Sequence, residues 1–196
     1  RDLHVRSRRQ RQMCIRDRSL MDKSANKSHP KATSAEEKAK QHLISVGLYG
    51  RSVSIISNAF RFTSIFRNFS ENQVLKEFNL SFSGFTVMWV LWVWGDLETA
   101  KLAKNAGIAK STLTGILITL EKHGYCQRLA HPNDARRVVV HITKAGEDLM
   151  EEVFPKFHEI EDIAVSDLTS DEFETTIDSL RTMLHTMEEF TNKDNS

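Results

Sequence analysis

Between Lys110 and Lys122 the chain sets Ser111, Thr112, Thr114, Gly115 and Thr119, small or hydroxylated residues in a segment bounded by two lysines. Side chains this short let a backbone come close to a partner, and their hydroxyls reach base edges or phosphate oxygens while lysine supplies the cation. A second group follows in Asp134, Arg136 and Arg137. There a carboxylate beside two guanidiniums is placed to stiffen a turn, pairing with Arg136 or Arg137 and aiming one fixed cation outward. A guanidinium on a thin projection suits a narrow minor groove, where negative potential is strongest. This is recognition chemistry, and duplex DNA is the partner it fits.

Rigid elements must carry those groups. TAKLAKNAG reads as a short helix capped by Thr99, with Leu102, Ala103 and Ala106 inward, Gly107 leaving it through a positive φ and Ile108 packed under the turn. KSTLTGILITLEKHG reads as a second helix that buries Leu113, Ile116, Leu117 and Leu120, so Ser111, Gly115 and Lys122 lie opposite. Ile118 falls near that outer face, where burial does not explain it, and is a candidate for contact with a thymine methyl. After Gly124, residues 125–130 and 137–143 read as strands, with residues 131–136 making the turn between them. A helix pair followed by a basic hairpin is a device for holding duplex DNA.

The run S-T-L-T-G-I-L-I-T-L-E-K-H-G-Y-C-Q-R, followed by P-N-D-A-R-R-V-V-V-H-I-T-K-A-G, resembles the winged helix-turn-helix of MarR-type bacterial regulators. It carries their L-E-x-x-G-x-x-x-R helix end and a D-x-R wing running into an I-T strand end. The resemblance covers about residues 80 to 150, and the order of flanking helices extends it to 41–190. It implies a mainly α fold with a small β-wing (α+β), a DNA-binding lobe at 80–144, and N- and C-terminal dimerisation helices at 41–70 and 145–190. It also implies that Asp134 and Arg136 form the wing pair and that residues 111–119 are the recognition segment. Cys126 departs from the family, which usually carries a β-branched residue there.

With 196 residues, 40% of them hydrophobic and only three prolines, the chain has enough for one domain. No run of 18 residues is both apolar and uncharged, and FSGFTVMWVLWVWG reads as a buried helix, so no membrane partner is expected. Two cysteines make no disulfide framework, which places the chain in a reducing cytoplasm. The net charge of +1 hides a division along the chain. Residues 99–144 hold eight basic against two acidic residues, whereas 145–196 hold three basic against fifteen acidic. Acidity on the last helices repels phosphate, so DNA is approached with one side only.

Thr169-Ser170-Asp171-Glu172 has the spacing of a capping box, and Phe173, Ile177, Leu180, Leu184 and Met187 then recur every three or four residues. Such a seam packs either inside its own chain or against a second copy, and the resemblance favours a homodimer interface. Residues 43–69 add an amphipathic stretch in which Phe60, Phe62, Ile65, Phe66 and Phe69 exceed what a small wing domain needs. Two copies place two recognition helices about one DNA turn apart, which implies a pseudo-palindromic operator.

Trp89, Trp92 and Trp94 lie beside Phe85 and Met88 in a helix read over 83–94. Large aromatics at that spacing are core residues first. The resemblance adds a second reading, an effector pocket for a small aromatic, phenolic or otherwise hydrophobic ligand, with Trp89 and Trp92 gripping it and His42, Tyr49, Arg51 and Arg61 adding polarity.

Eight histidines show no H-x-x-x-H or H-E-x-x-H spacing, no C-x-x-C is present, and no nucleophile elbow or phosphate loop occurs, so no metal, cofactor or catalytic site is expected. Cys126, in a predicted strand without a neighbouring Cys, reads as structural. Residues 1–20, arginine-rich and without apolar periodicity, read as carried over from cloning or sequence assembly, with Met21 the natural start; the other reading is an arm that reaches into a groove beside the wing. Residues 22–40 read as a disordered lead-in and 191–196 as a tail.

The expectation is therefore a homodimeric DNA-binding repressor released by a small molecule. Its rivals are an effector-independent or activating regulator and a winged-helix protein-interaction module, against which the charged wing argues.

Overall fold

The computed structural model describes residues 30–48, 50–131 and 134–194, with the side chains of residues 131, 134–136, 192 and 194 outside that description. Its elements run α1 (Ser34–Ser45), α2 (Arg51–Gln73), a single 3-10 turn (Leu75–Phe78), α3 (Phe82–Trp94), β1 (Leu97–Glu98), α4 (Thr99–Asn105), α5 (Lys110–Lys122), β2 (Cys126–His131), β3 (Asp134–Ile142), α6 (Lys144–Val165) and α7 (Ser170–Asp194). The chain divides into two compact units, one over Leu43–Glu161 and the other from Arg1–His42 with Asp162–Ser196.

The larger unit is organised around α3. This helix is apolar nearly all round, with Phe85, Val87, Met88, Val90 and Leu91 buried, which is the pattern of a central helix. Ser81 starts it: its Oγ accepts the Gly84 N–H at 3.0 Å, and Glu71 Oε1 accepts the Phe82 N–H at 2.7 Å. Against α3 pack Leu102 of α4, Leu113, Leu117 and Leu120 of α5, Val140 of β3, and Met150, Val153 and Phe157 of α6, all buried. Each such side chain contributes about 1.5–3 kcal/mol relative to an exposed one.

The sheet is antiparallel in the order β1-β3-β2, with Leu97 opposite Val140 and Cys126 opposite Ile142. Thr143 ties the hairpin to the next helix, since its Oγ1 donates to the Gly124 carbonyl at 2.5 Å and accepts the Gly146 N–H at 3.1 Å. At Gly146 the helix passes so close to the hairpin that an added Cβ would lie 2.1 Å from the Tyr125 carbonyl oxygen. No helix among the described residues is long and apolar enough to cross a membrane.

Several elements differ from the sequence reading. β2 runs on to His131 and β3 begins at Asp134, whose Cα faces that of His131, so residues 131 and 134–136 of the turn expected over 131–136 belong to strands; residues 132 and 133 lie outside the described residues. The backbone ladder continues past the point where side-chain alternation stops. Thr99 is the first helical residue of α4 and Glu98 the N-cap, because β1 holds Glu98 extended at φ −63° and ψ 144°. Ile116 is half-buried, while Leu113, Leu117 and Leu120 are buried as expected. Gly107 takes the positive φ expected of it, +63°, and Gly124, expected to end the second helix, leaves it at φ +76°.

The flanking segments also depart from expectation. Of the stretch 22–40, residues from Ser34 onward are helical: Thr33 Oγ1 accepts the Glu36 N–H at 3.3 Å, and Glu36 and Glu37 sit in the positive first turn. Phe66 of α2 is part of the larger unit's core, its ring edge-on to Phe82 and Phe157 at 6.2 and 5.7 Å, whereas Phe60, Phe62, Ile65 and Phe69 are exposed. Residues 145–161 likewise belong with the winged lobe, since Met150, Val153, Phe157 and Ile160 are buried there. In the smaller unit, α7 opens with the expected capping box: Glu172 Oε2 accepts the Thr169 N–H at 2.8 Å and Thr169 Oγ1 accepts the Glu172 N–H at 3.3 Å.

Candidate nucleic-acid interface

α5 presents the residues singled out for recognition. Leu113, Leu117 and Leu120 hold the helix to the core, and the rest of its circumference follows from that anchoring. Lys110, Ser111, Thr112, Thr114, Gly115, Ile118, Thr119 and Lys122 are all exposed. The Thr114 and Thr119 hydroxyls donate to the carbonyls of Lys110 and Gly115 at 3.2 Å each, which leaves their lone pairs outward. Ile118 is 55% exposed. An isoleucine on a face of hydroxyls and lysines is an apolar contact awaiting a partner.

Thr112, Gly115, Thr119 and His123 also line one side of a cleft of about 260 Å³, whose far side is the Asn79-Leu80-Ser81 turn and Gly84 at the start of α3. The space exists because the facing positions are small. A Cβ added at Gly115 would meet nothing within 4 Å.

The hairpin is held to the helices by two fork-to-fork ion pairs. Arg128 of β2 binds Glu121 of α5 through Nε at 3.0 Å and Nη2 at 2.6 Å, and the same carboxylate accepts the Arg128 backbone N–H. These bonds from Arg128 hold the Glu121 carboxyl below the usual carboxylate range. Arg137 of β3 binds Glu98 through Nε at 3.0 Å and through Nη2. A further contact joins His141 Nδ1 of β3 to Asp96 Oδ1, just before β1, at 2.6 Å.

Arg137 therefore has a partner in Glu98 that the sequence did not suggest, and the expected pairing of Asp134 with Arg136 or Arg137 lies outside the described side chains. The two-residue strand β1 carries too little pattern to be read from sequence, yet it puts Glu98 opposite Val139, on the same face as Arg137. The backbone of Asp134 and Arg136 lies in β3, but their side chains fall outside the described residues. The sequence reading also passed over Lys101 and Lys104, which α4 exposes beside the recognition segment; their signal was the positive charge of that block.

The residues expected to grip an effector come from several elements. Trp89 packs edge-on against Trp94 at 5.2 Å and Trp92 against Phe154 at 5.4 Å, each half-buried at the rim of the core. Arg51 and Arg61 are exposed on α2, His42 belongs to the smaller unit, and Tyr49 lies outside the described residues. Cys126 is buried in β2, where desolvation pushes its thiol up to about 12.

This arrangement of two helices, a hairpin and a third short strand has counterparts among known proteins. A sequence model of the MarR family matches residues 80–138. An uncharacterised HTH-type transcriptional regulator, YwaE of Bacillus subtilis, is 38% identical over 120 residues, covering 61% of this chain and 70% of the relative. This chain belongs to the MarR family. It is a winged helix-turn-helix transcriptional regulator, mostly helical with a small antiparallel sheet. FarR, an HTH-type transcriptional regulator of Neisseria gonorrhoeae, is 39% identical over 80 residues, which cover 41% of this chain and 55% of that protein. Among solved structures, a mutant MarR from E. coli complexed with operator DNA shares the fold at a TM-score of 0.63 and 22% identity, covering 70% of this chain and 98% of that one. Bordetella bronchiseptica BpsR, whose DNA binding is regulated by 6-hydroxynicotinic acid, shares it at 0.61 and 22% over 66% of this chain and 98% of that one.

Proposed function

We propose that this regulator is a homodimeric repressor that binds a pseudo-palindromic operator and leaves it when a small hydrophobic or aromatic molecule binds. The exposed hydroxyl and lysine face of α5 carries this reading. Burial explains the opposite face of the helix and leaves this one for a partner. Ser111, Thr112, Thr114, Gly115, Ile118 and Thr119 enter the major groove, Lys110 and Lys122 take phosphates, and the tip with Asp134 and Arg136 lies along the adjacent minor groove, while Arg137 stays on Glu98. Catalysis is not part of the role, and the protein works in the cytoplasm.

The dimer reading is supported by the stripe on α7, where Leu180, Leu184 and Met187 are exposed along one face. A second copy covering it would set the two recognition helices about 10 base pairs apart. The effector reading is supported by BpsR, whose DNA binding is regulated by 6-hydroxynicotinic acid, and the repressor reading by the Escherichia coli homoprotocatechuate degradative operon repressor, which is 27% identical over 117 residues. Trp89 and Trp92 with Arg61, His42 and Tyr49 are the residues proposed to meet that ligand, and Asp134 with Arg136 the wing pair.

Titration against a duplex taken from the DNA flanking the gene, over about 50 to 200 mM salt, tests the DNA role. Affinity falls with a log-log slope of about −0.9 for each phosphate neutralised, and a flat response rejects the reading in favour of a protein-interaction module. Quenching of Trp fluorescence across aromatic acids and phenols tests the effector, and silence throughout favours an effector-independent regulator.

A further inference from the structure

Glu98 occupies two elements at once, as the last residue of β1 and the N-cap of α4. Its position opposite Val139 brings its carboxylate to Arg137, 39 residues away, where Nε donates to Oε2 at 3.0 Å and Nη2 to Oε1. The Glu98 side chain is 23% exposed and that of Arg137 48%, so the guanidinium faces solvent while two of its five N–H groups are held from behind. Arg128 is held in the same way by Glu121. Both hairpin arginines whose side chains are described are thus neutralised by a carboxylate from outside the hairpin.

We propose that Glu98 sets the specificity of DNA binding by withholding Arg137 from phosphate, an inference that rests on the DNA-binding role proposed above. Contacts between cations and phosphates are blind to sequence and supply nearly all non-specific affinity. A guanidinium whose charge is matched by a carboxylate must give up that partner before it displaces a counterion from DNA. Glu98 therefore removes one sequence-blind contact and leaves the hydroxyl face of α5 untouched. The ratio of specific to non-specific binding rises, and that ratio decides occupancy among many competing sites.

The test uses the full chain and a short duplex of arbitrary mixed sequence, titrated over about 50 to 200 mM salt, with wild type, Glu98→Gln, Arg137→Ala and the double variant. Releasing one guanidinium should steepen the log-log slope of Glu98→Gln by about 0.9 and tighten its binding about eightfold near 0.1 M salt. Arg137→Ala should keep the wild-type slope, and the double variant should match it. A Glu98→Gln slope equal to wild type, or weaker binding, with native circular dichroism overturns the inference. If that variant does not fold, Arg137→Ala decides alone, because a slope shallower by about 0.9 means that Arg137 already neutralises a phosphate. A flat wild-type response rejects the DNA-binding role itself, whereas an unchanged Glu98→Gln slope over a sloping wild type rejects only the part given to Glu98.

Discussion

Glu121 and Arg128 lock the end of α5 to the start of β2: one carboxylate accepts Nε and the backbone N–H of Arg128 at 3.0 Å each and Nη2 at 2.6 Å. The pair spans the Gly124 turn, so it fixes the angle at which the hairpin leaves α5.

The hydrogen bonds from Arg128 lower the pKa of Glu121, so the folded state holds its proton less tightly than the unfolded chain does. That stability is present above the ordinary carboxylate range and lost as pH falls through the lowered value. Glu121→Gln should cost about 1 kcal/mol at pH 7, and urea melts should show the gap from wild type closing in acid.

Gly146→Ala and Gly115→Ala should move stability in opposite directions. A Cβ at Gly146 would lie 2.1 Å from the Tyr125 carbonyl oxygen and 2.9 Å from Ile142 Cγ1 and Met88 Cε, and such overpacking should destabilise by about 3 kcal/mol. At Gly115 the methyl meets nothing within 4 Å, so alanine in mid-helix should stabilise by about 0.5–1 kcal/mol. The same methyl stands on the proposed DNA face, and a Gly115→Ala protein that melts higher should bind operator more weakly. Thermal melts and DNA titration of one preparation check both halves.

Cys126 should resist alkylation in the native protein at neutral pH, since its thiol is buried and pushed up to about 12. A raised thiol pKa stabilises the fold below the unfolded value, about 8.5, and that share is lost as pH climbs toward the folded value. Urea melts from neutral to alkaline pH should therefore show a decline that Cys126→Val reduces. Rapid labelling of the native thiol would contradict the assigned burial.

Lys110→Ala and Lys122→Ala should each make the salt slope shallower by about 0.9 and weaken operator and unrelated DNA alike, as phosphate contacts do. Thr112→Ala should instead weaken operator selectively. Equal losses on both duplexes for Thr112→Ala would place that residue against the backbone.

By itself the sequence determined the two helices α4 and α5 and the outward face of α5. Leu113, Leu117 and Leu120 repeat at helical spacing, Gly107 and Gly124 mark the exits, and the hydroxyl face is what remains when those leucines are buried. Thr169 and Glu172 announced the start of α7, because capping is settled within one turn. Tertiary structure alone decided what depends on distant partners. Two residues of β1 carry no legible period, so Glu98 became visible beside Arg137 only after the sheet brought together positions 39 residues apart. Phe66 looked like its exposed neighbours until Phe82 and Phe157 closed around it. Local periodicity says which face of an element is apolar, but what covers that face, or neutralises a charge, is chosen by packing across the chain.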